Sequence, residues 1–185
     1  MQLSFSNLVA ASVLGVGLLT LAATDEILAA SKAKEAARYA KDLKTSKDPK
    51  TKVVALNELG KFGQVSKILV EDAYKDMLAA LGDGNPAIRA AAATAVGQAY
   101  LAAEDPKTIA TTLAKMMKDD GDESVRIGAI NGLAAMRDAA RPQLEEIRAV
   151  IVAEVEAAKK KDPKNMNPQT NVSRAGDDAV RYITQ

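Results

Sequence analysis

The chain has 185 residues, 48% of them hydrophobic but only 3% aromatic, so a core must be built from Ala, Leu, Val and Ile. Lys plus Arg number 25 against 24 Asp plus Glu, a balance that argues against a protein held mainly by phosphate contacts. There is no Cys, His or Trp, which excludes disulfides, thiolate nucleophiles, zinc–sulfur sites, imidazole metal ligands and Ser-His-Asp or Cys-His catalysis.

No charged side chain precedes Asp25, and Leu8 to Ala23 is an uninterrupted run of 16 apolar, Ser, Thr and Gly residues. A membrane span wants about 20 apolar residues; a secretory signal has an apolar stretch of roughly 7–15 followed by small residues. Residues 1–24 are therefore expected to be a signal peptide or an apolar anchor, with an ordinary buried helix as the remaining alternative. Export to the periplasm or the exterior, or membrane anchoring through this segment, is expected over a cytoplasmic location. The leading MQLSFSN lacks Lys and Arg, and the best cleavage positions, after Ala22 or near Ala29-Ala30-Ser31, are not of the A-x-A type.

Beyond this segment one unit repeats. PKTKVVALNELGKF (49–62), PAIRAAAATAVGQA (86–99) and ESVRIGAINGLAAM (123–136) align without gaps. Lys52, Arg89 and Arg126 stand 37 residues apart (89 − 52 and 126 − 89). The same register places Ala55, Ala92 and Ala129 together, and Leu59, Val96 and Leu133. Apolar residues recur at spacings of three and four, the mark of a helix with one buried face. Asp48-Pro49, Asn85-Pro86 and Asp122-Glu123-Ser124 supply starts, because Asx and Ser oxygens accept first-turn N–H groups and Pro suits the first helical position. Partner helices are expected at about 32–43, 70–81 and 107–117, aligned on Tyr39, Met77 and Leu113. A further helix follows Pro142, acidic at its start and basic at Lys159-Lys160-Lys161, which suits its dipole. The Pro- and Asn-rich stretch KDPKNMNPQTN predicts a loop, and a last short helix is expected from about Ser173 to Ile183. No alternating strand pattern competes.

The string from Asp83 to Gly97, DGNPAIRAAAATAVG, resembles the second helix of a HEAT repeat, and SVRIGAINGLAAM is similar to it. The first unit departs, with Thr51-Lys52 in place of an aliphatic residue and Arg. The resemblance covers about 32–160 and implies an all-α fold, an α-α superhelix of three to four helical hairpins. On this reading residues 25–161 are the repeats and 162–185 a C-terminal loop and capping helix. The resemblance also implies that Arg89 and Arg126, with Lys52 as a weaker substitute, tie neighbouring repeats together. Asp83 and Asp120 are the candidate acidic partners.

The resemblance further implies that the second helices line a groove. At about 100° per residue, Thr94 falls opposite the apolar face of Ile88, Ala92 and Val96. Its counterparts are Asn57 and Asn131, and four residues on lie Lys61, Gln98 and Ala135. Asn57, Lys61, Thr94, Gln98 and Asn131 are thus the candidate partner-binding residues, suited to an extended peptide because an amide both donates and accepts. A solvated surface is the plainer alternative.

Asp119, Asp120, Asp122 and Glu123 surround Gly121 but lack the EF-hand spacing, so a solvated cap is expected over a calcium site. Nothing gathers Glu145, Glu146, Glu154 and Glu156 into an apolar pocket that would raise a carboxyl pKa. Asn171-Val172-Ser173 matches the glycosylation acceptor. The expected function is a protein interaction scaffold that is not an enzyme. It takes no cofactor or metal and no nucleic acid, and its partner is another protein or an extended peptide. The alternatives are a lyase-type HEAT protein or an accessory subunit of an enzyme or envelope complex. Hydroxylases of this architecture need His ligands, which the chain lacks.

Overall fold

Three of the second helices begin where an Asx side chain can reach a free first-turn N–H. Asp48 accepts from Thr51 N at 3.0 Å, Asn85 from Ala87 N at 2.9 Å and Asp122 from Ser124 N at 2.9 Å. The turn before each cap is itself repeated. Asp83 accepts from Asn85 N and Asp120 from Asp122 N, while Ser46 takes the same role toward Asp48 N. Each turn thus fixes the residue two before the cap, and so aims the Asp83 and Asp120 carboxylates.

The structure is a computed structural model that describes residues 26–185 apart from Met166. The apolar Leu8–Ala23 segment, with the export expectation attached to it, lies outside the described residues. The described residues fall into two units, 26–35 and 36–185. In the first, the described residues 26–35 are helical and exposed.

In the second unit, helix α1 (36–45) is followed by α2 (Pro49–Val65), α3 (Glu71–Ala79), α4 (Pro86–Gln98), α5 (Pro106–Asp119), α6 (Glu123–Met136), α7 (Leu144–Lys161) and α8 (Asn171–Thr184). Short 3-10 turns join most of them, and no strand occurs among the described residues. The unit is an all-α superhelix of four hairpins. The second helices α2, α4, α6 and α8 adjoin in that order, and the first helices α3, α5 and α7 each lie on their own partners. Leu56, Leu59, Met77, Val96, Leu113, Met117, Ile130, Leu133 and Met136 are fully buried between the two rows.

The row of second helices is close because small residues face one another. A Cβ on Gly63 would lie 2.7 Å from Ala99 Cα, and one on Gly97 would strike the Gly132 backbone. Helix α8 packs on both α6 and α7 and so is the second helix of the fourth hairpin. Its buried Val172, Gly176, Ala179 and Ile183 each follow Val125, Ala129, Gly132 and Met136 by 47 residues (172 − 125). A longer first helix and the loop to Thr170 supply the ten residues by which this interval exceeds 37. Thr170 and Ser173 cap α8 reciprocally, which satisfies the buried Ser173 hydroxyl.

Candidate functional site

One constellation ties the hairpins together. The Lys52 ammonium reaches the Asp83 carboxylate at 3.6 Å, and Arg89 grips Asp120 through Nε and Nη2, both at 3.0 Å. Arg126 reaches Glu154 through Nη2 at 3.1 Å. Each cation comes from a second helix and each acid from the following hairpin. The arginines also bind their own turns: Arg89 Nη1 donates to Asp83 O at 3.0 Å and Arg126 Nη1 to Asp120 O at 3.3 Å. A guanidinium can do both at once because its five donors are splayed in a plane. The hydrogen bond from Arg89 holds the Asp120 carboxyl below the usual carboxylate range, and Asp120 in turn raises the Arg89 guanidinium.

The third rung departs from the period. The position 37 residues after Asp120 is Ala157, and Glu154, one helical turn earlier, takes its place. Arg126 Nε is left buried with no partner. A cavity of about 360 Å³ opens beside it, lined by Asp120, Val150, Glu154 and Ala157.

The second constellation is a groove of about 520 Å³ on the second-helix row. Gln64 at the end of α2 forms one wall. Asn131, Ala134 and Ala135 of α6, then Ala175 and Ala179 of α8, form the floor, and Arg137, Asp178 and Tyr182 complete the rim. The arrangement offers amides, an aromatic ring and charged rim groups around a floor of small apolar side chains. Among the described residues no group of three or more acidic side chains is arranged to hold a metal.

The residues singled out from the sequence fall in different places. Asn131 is exposed in the groove. Asn57 is exposed on α2, and Lys61 pairs with Glu58 of the same helix at 2.6 Å. Gln98 is half-buried over Gly60, where an added Cβ would meet its amide oxygen. Thr94 departs from the solvent-facing row. It is half-buried and donates to Gly128 O on α6 at 3.1 Å and to Ala90 O at 3.3 Å. Helix α6 comes so near α4, through Gly97 and Gly132, that the position opposite the core becomes a contact. Lys52, Asp83, Arg89, Asp120 and Arg126 all lie in the ladder.

Gln64, Arg137, Asp178 and Tyr182 were not singled out, and Glu154 was considered only as one of four ungathered carboxylates, not as a partner for Arg126. Gln64 was within reach, since it follows Asn57 by seven residues and shares its helical face. Asp178 and Tyr182 required the 47-residue alignment of α8.

Paired helices in register, a basic–acidic ladder between hairpins and a groove along the second helices define an α-solenoid. The family model for HEAT repeats matches residues 36–134 and 76–158. The chain belongs to the HEAT repeat family. Proteins of this family are generally interaction scaffolds and typically non-catalytic. Neither a curated protein nor a solved structure matches the chain.

Proposed function

We propose that this protein is a scaffold that binds an extended segment of another protein in the groove bounded by α2, α6 and α8. The observation that carries this reading is the groove itself. It joins second helices from the first, third and fourth hairpins, and its small-residue floor leaves room for a chain laid across the row. Tyr182 is 54% exposed on its rim, a large amphipathic side chain that an intramolecular role would bury. Asn131 and Gln64 supply donors and acceptors for a peptide backbone. Nothing in the groove pairs a nucleophile with a base.

A photo-crosslinking residue at position 131 should trap a defined partner in cells, and one at Lys115, exposed on α5, should not. With that partner purified, Asn131→Ala with Tyr182→Ala should weaken binding about tenfold and leave Tm unchanged, since both side chains are exposed. Equal adducts at both positions, or wild-type affinity in the double variant, would refute the groove as the binding surface.

A further inference from the structure

We propose that Arg137 makes this groove selective for a carboxylate side chain, so that the bound segment carries an Asp or Glu beside Tyr182; this rests on the groove being the binding surface. Three observations meet at this residue. Its backbone lies at φ 48, ψ −121, the single positive φ at a non-glycine position among the described residues. An L side chain is strained there, and such strain persists only where the surroundings impose it or function retains it. The repeat itself does not impose it. The positions 37 and 74 residues earlier are Tyr100 and Gly63, and neither has a positive φ.

The second observation is charge. The other charged group lining the groove is already held, since Asp178 accepts from Arg181 at 2.8 Å. Asp138, the nearest acid in the chain, accepts from Arg141 at 2.7 Å. Among the described residues Arg137 has no acidic partner, and it remains the uncompensated charge on the groove wall. The third is setting. The floor of Ala134, Ala135, Ala175 and Ala179 is apolar, so a segment laid over it would exclude water and strengthen a guanidinium–carboxylate fork against the same pair in solvent. Tyr182 shares the rim and can cover the pair.

The test uses the full chain and arrays of ten-residue peptides blocked at both ends, in matched sets bearing Asp/Glu, Asn/Gln or Lys. End-blocking removes free C-terminal carboxylates as a source of binding. The wild type should favour the acidic set over the amide set about tenfold at low salt, with the preference shrinking in 0.5 M salt. Arg137→Gln should abolish the preference and Arg137→Lys should keep part of it. Arg137→Gly is the decisive variant. It should abolish the preference while raising Tm by a few degrees, because glycine relieves the strained φ. A purely structural Arg137 would give a lower Tm on replacement, and that result with the acidic preference intact overturns the inference. Equal binding of all three sets by the wild type overturns it while leaving the groove reading in place. No binding by any set, with cross-links still forming at position 131, also overturns this inference alone. Loss of both the cross-links and peptide binding removes the groove reading with it.

Discussion

The junctions on either side of α6 are built from the same parts and are not equally tight. Toward α4, glycine meets glycine backbone, Thr94 bonds across the seam, and Arg89 forks onto Asp120 with all three of its nitrogens bonded. Toward the fourth hairpin, Arg126 has one bond to a glutamate on a helix, one buried nitrogen without a partner and a cavity at its side. In a solenoid, stability is roughly the sum of unit and nearest-neighbour terms, so a difference between junctions is a difference in where the stack opens first. The fourth hairpin also carries half of the groove, through Ala175, Asp178, Ala179 and Tyr182. The looser junction therefore lies beside the groove.

The comparison can be broken most forcefully at the glycines. Gly97→Val sets a side chain against the Gly132 backbone, which cannot yield. The expected cost is about 3 kcal/mol or more, read as a cooperative loss of Tm in thermal unfolding. Gly176→Ala meets instead a side chain, with Ile151 Cγ1 at 2.5 Å and Cδ1 at 2.9 Å from the added Cβ, which can shift where a backbone cannot. It should cost about 1 kcal/mol.

Next in size are the arginines. Arg89→Ala removes a two-point fork and should cost about 2 kcal/mol. Arg126→Ala removes one carboxylate bond together with a nitrogen that was buried unsatisfied, so a loss of about 1 kcal/mol is expected. Equal losses in urea titrations would mean that the two rungs are equivalent after all.

The Arg89–Asp120 rung also predicts a pH effect. The Asp120 carboxyl is depressed in the folded chain, so its contribution is present above the unfolded value of about 3.9 and is lost as pH falls through the lowered folded value. The Tm advantage of wild type over Asp120→Asn should therefore be constant near neutrality and close as pH drops below about 4. An advantage that instead grew in acid would exclude the pairing.

The smallest effect concerns the two polar positions of the former row. Thr94→Val breaks a bond to Gly128 O and should cost about 1 kcal/mol, whereas Asn131→Ala, exposed in the groove, should stay within about 0.5 kcal/mol. Hydrogen exchange at Gly132 and Leu133 would sharpen this contrast.

Much of the architecture was legible because a 37-residue period is a strong signal: equivalent environments need equivalent residues. Lys52, Arg89 and Arg126 stand in that period, and so do the turn acids Asp83 and Asp120. What escaped lies where the period fails. Ala157 occupies the position that the period assigns to the third acid, and Glu154 reaches Arg126 from the adjacent turn of α7. Helix α8 is offset by ten residues, so Asp178 and Tyr182 could not be assigned to the second-helix row by counting. Thr94 misled for a different reason. A helical wheel knows one helix and its core, and cannot say how near a neighbour on the flank will come.

By itself the chain's order of residues determined the helices, their caps, their pairing into hairpins and the cations that tie them. Those follow from interactions within a few residues or at a fixed repeat distance. Only the tertiary structure decided that α4 and α6 touch backbone to backbone, that Thr94 is enclosed, and that α8 closes the groove around Arg137 and Tyr182. These depend on the summed side-chain volumes of two helices at once. A one-dimensional period carries no record of that quantity.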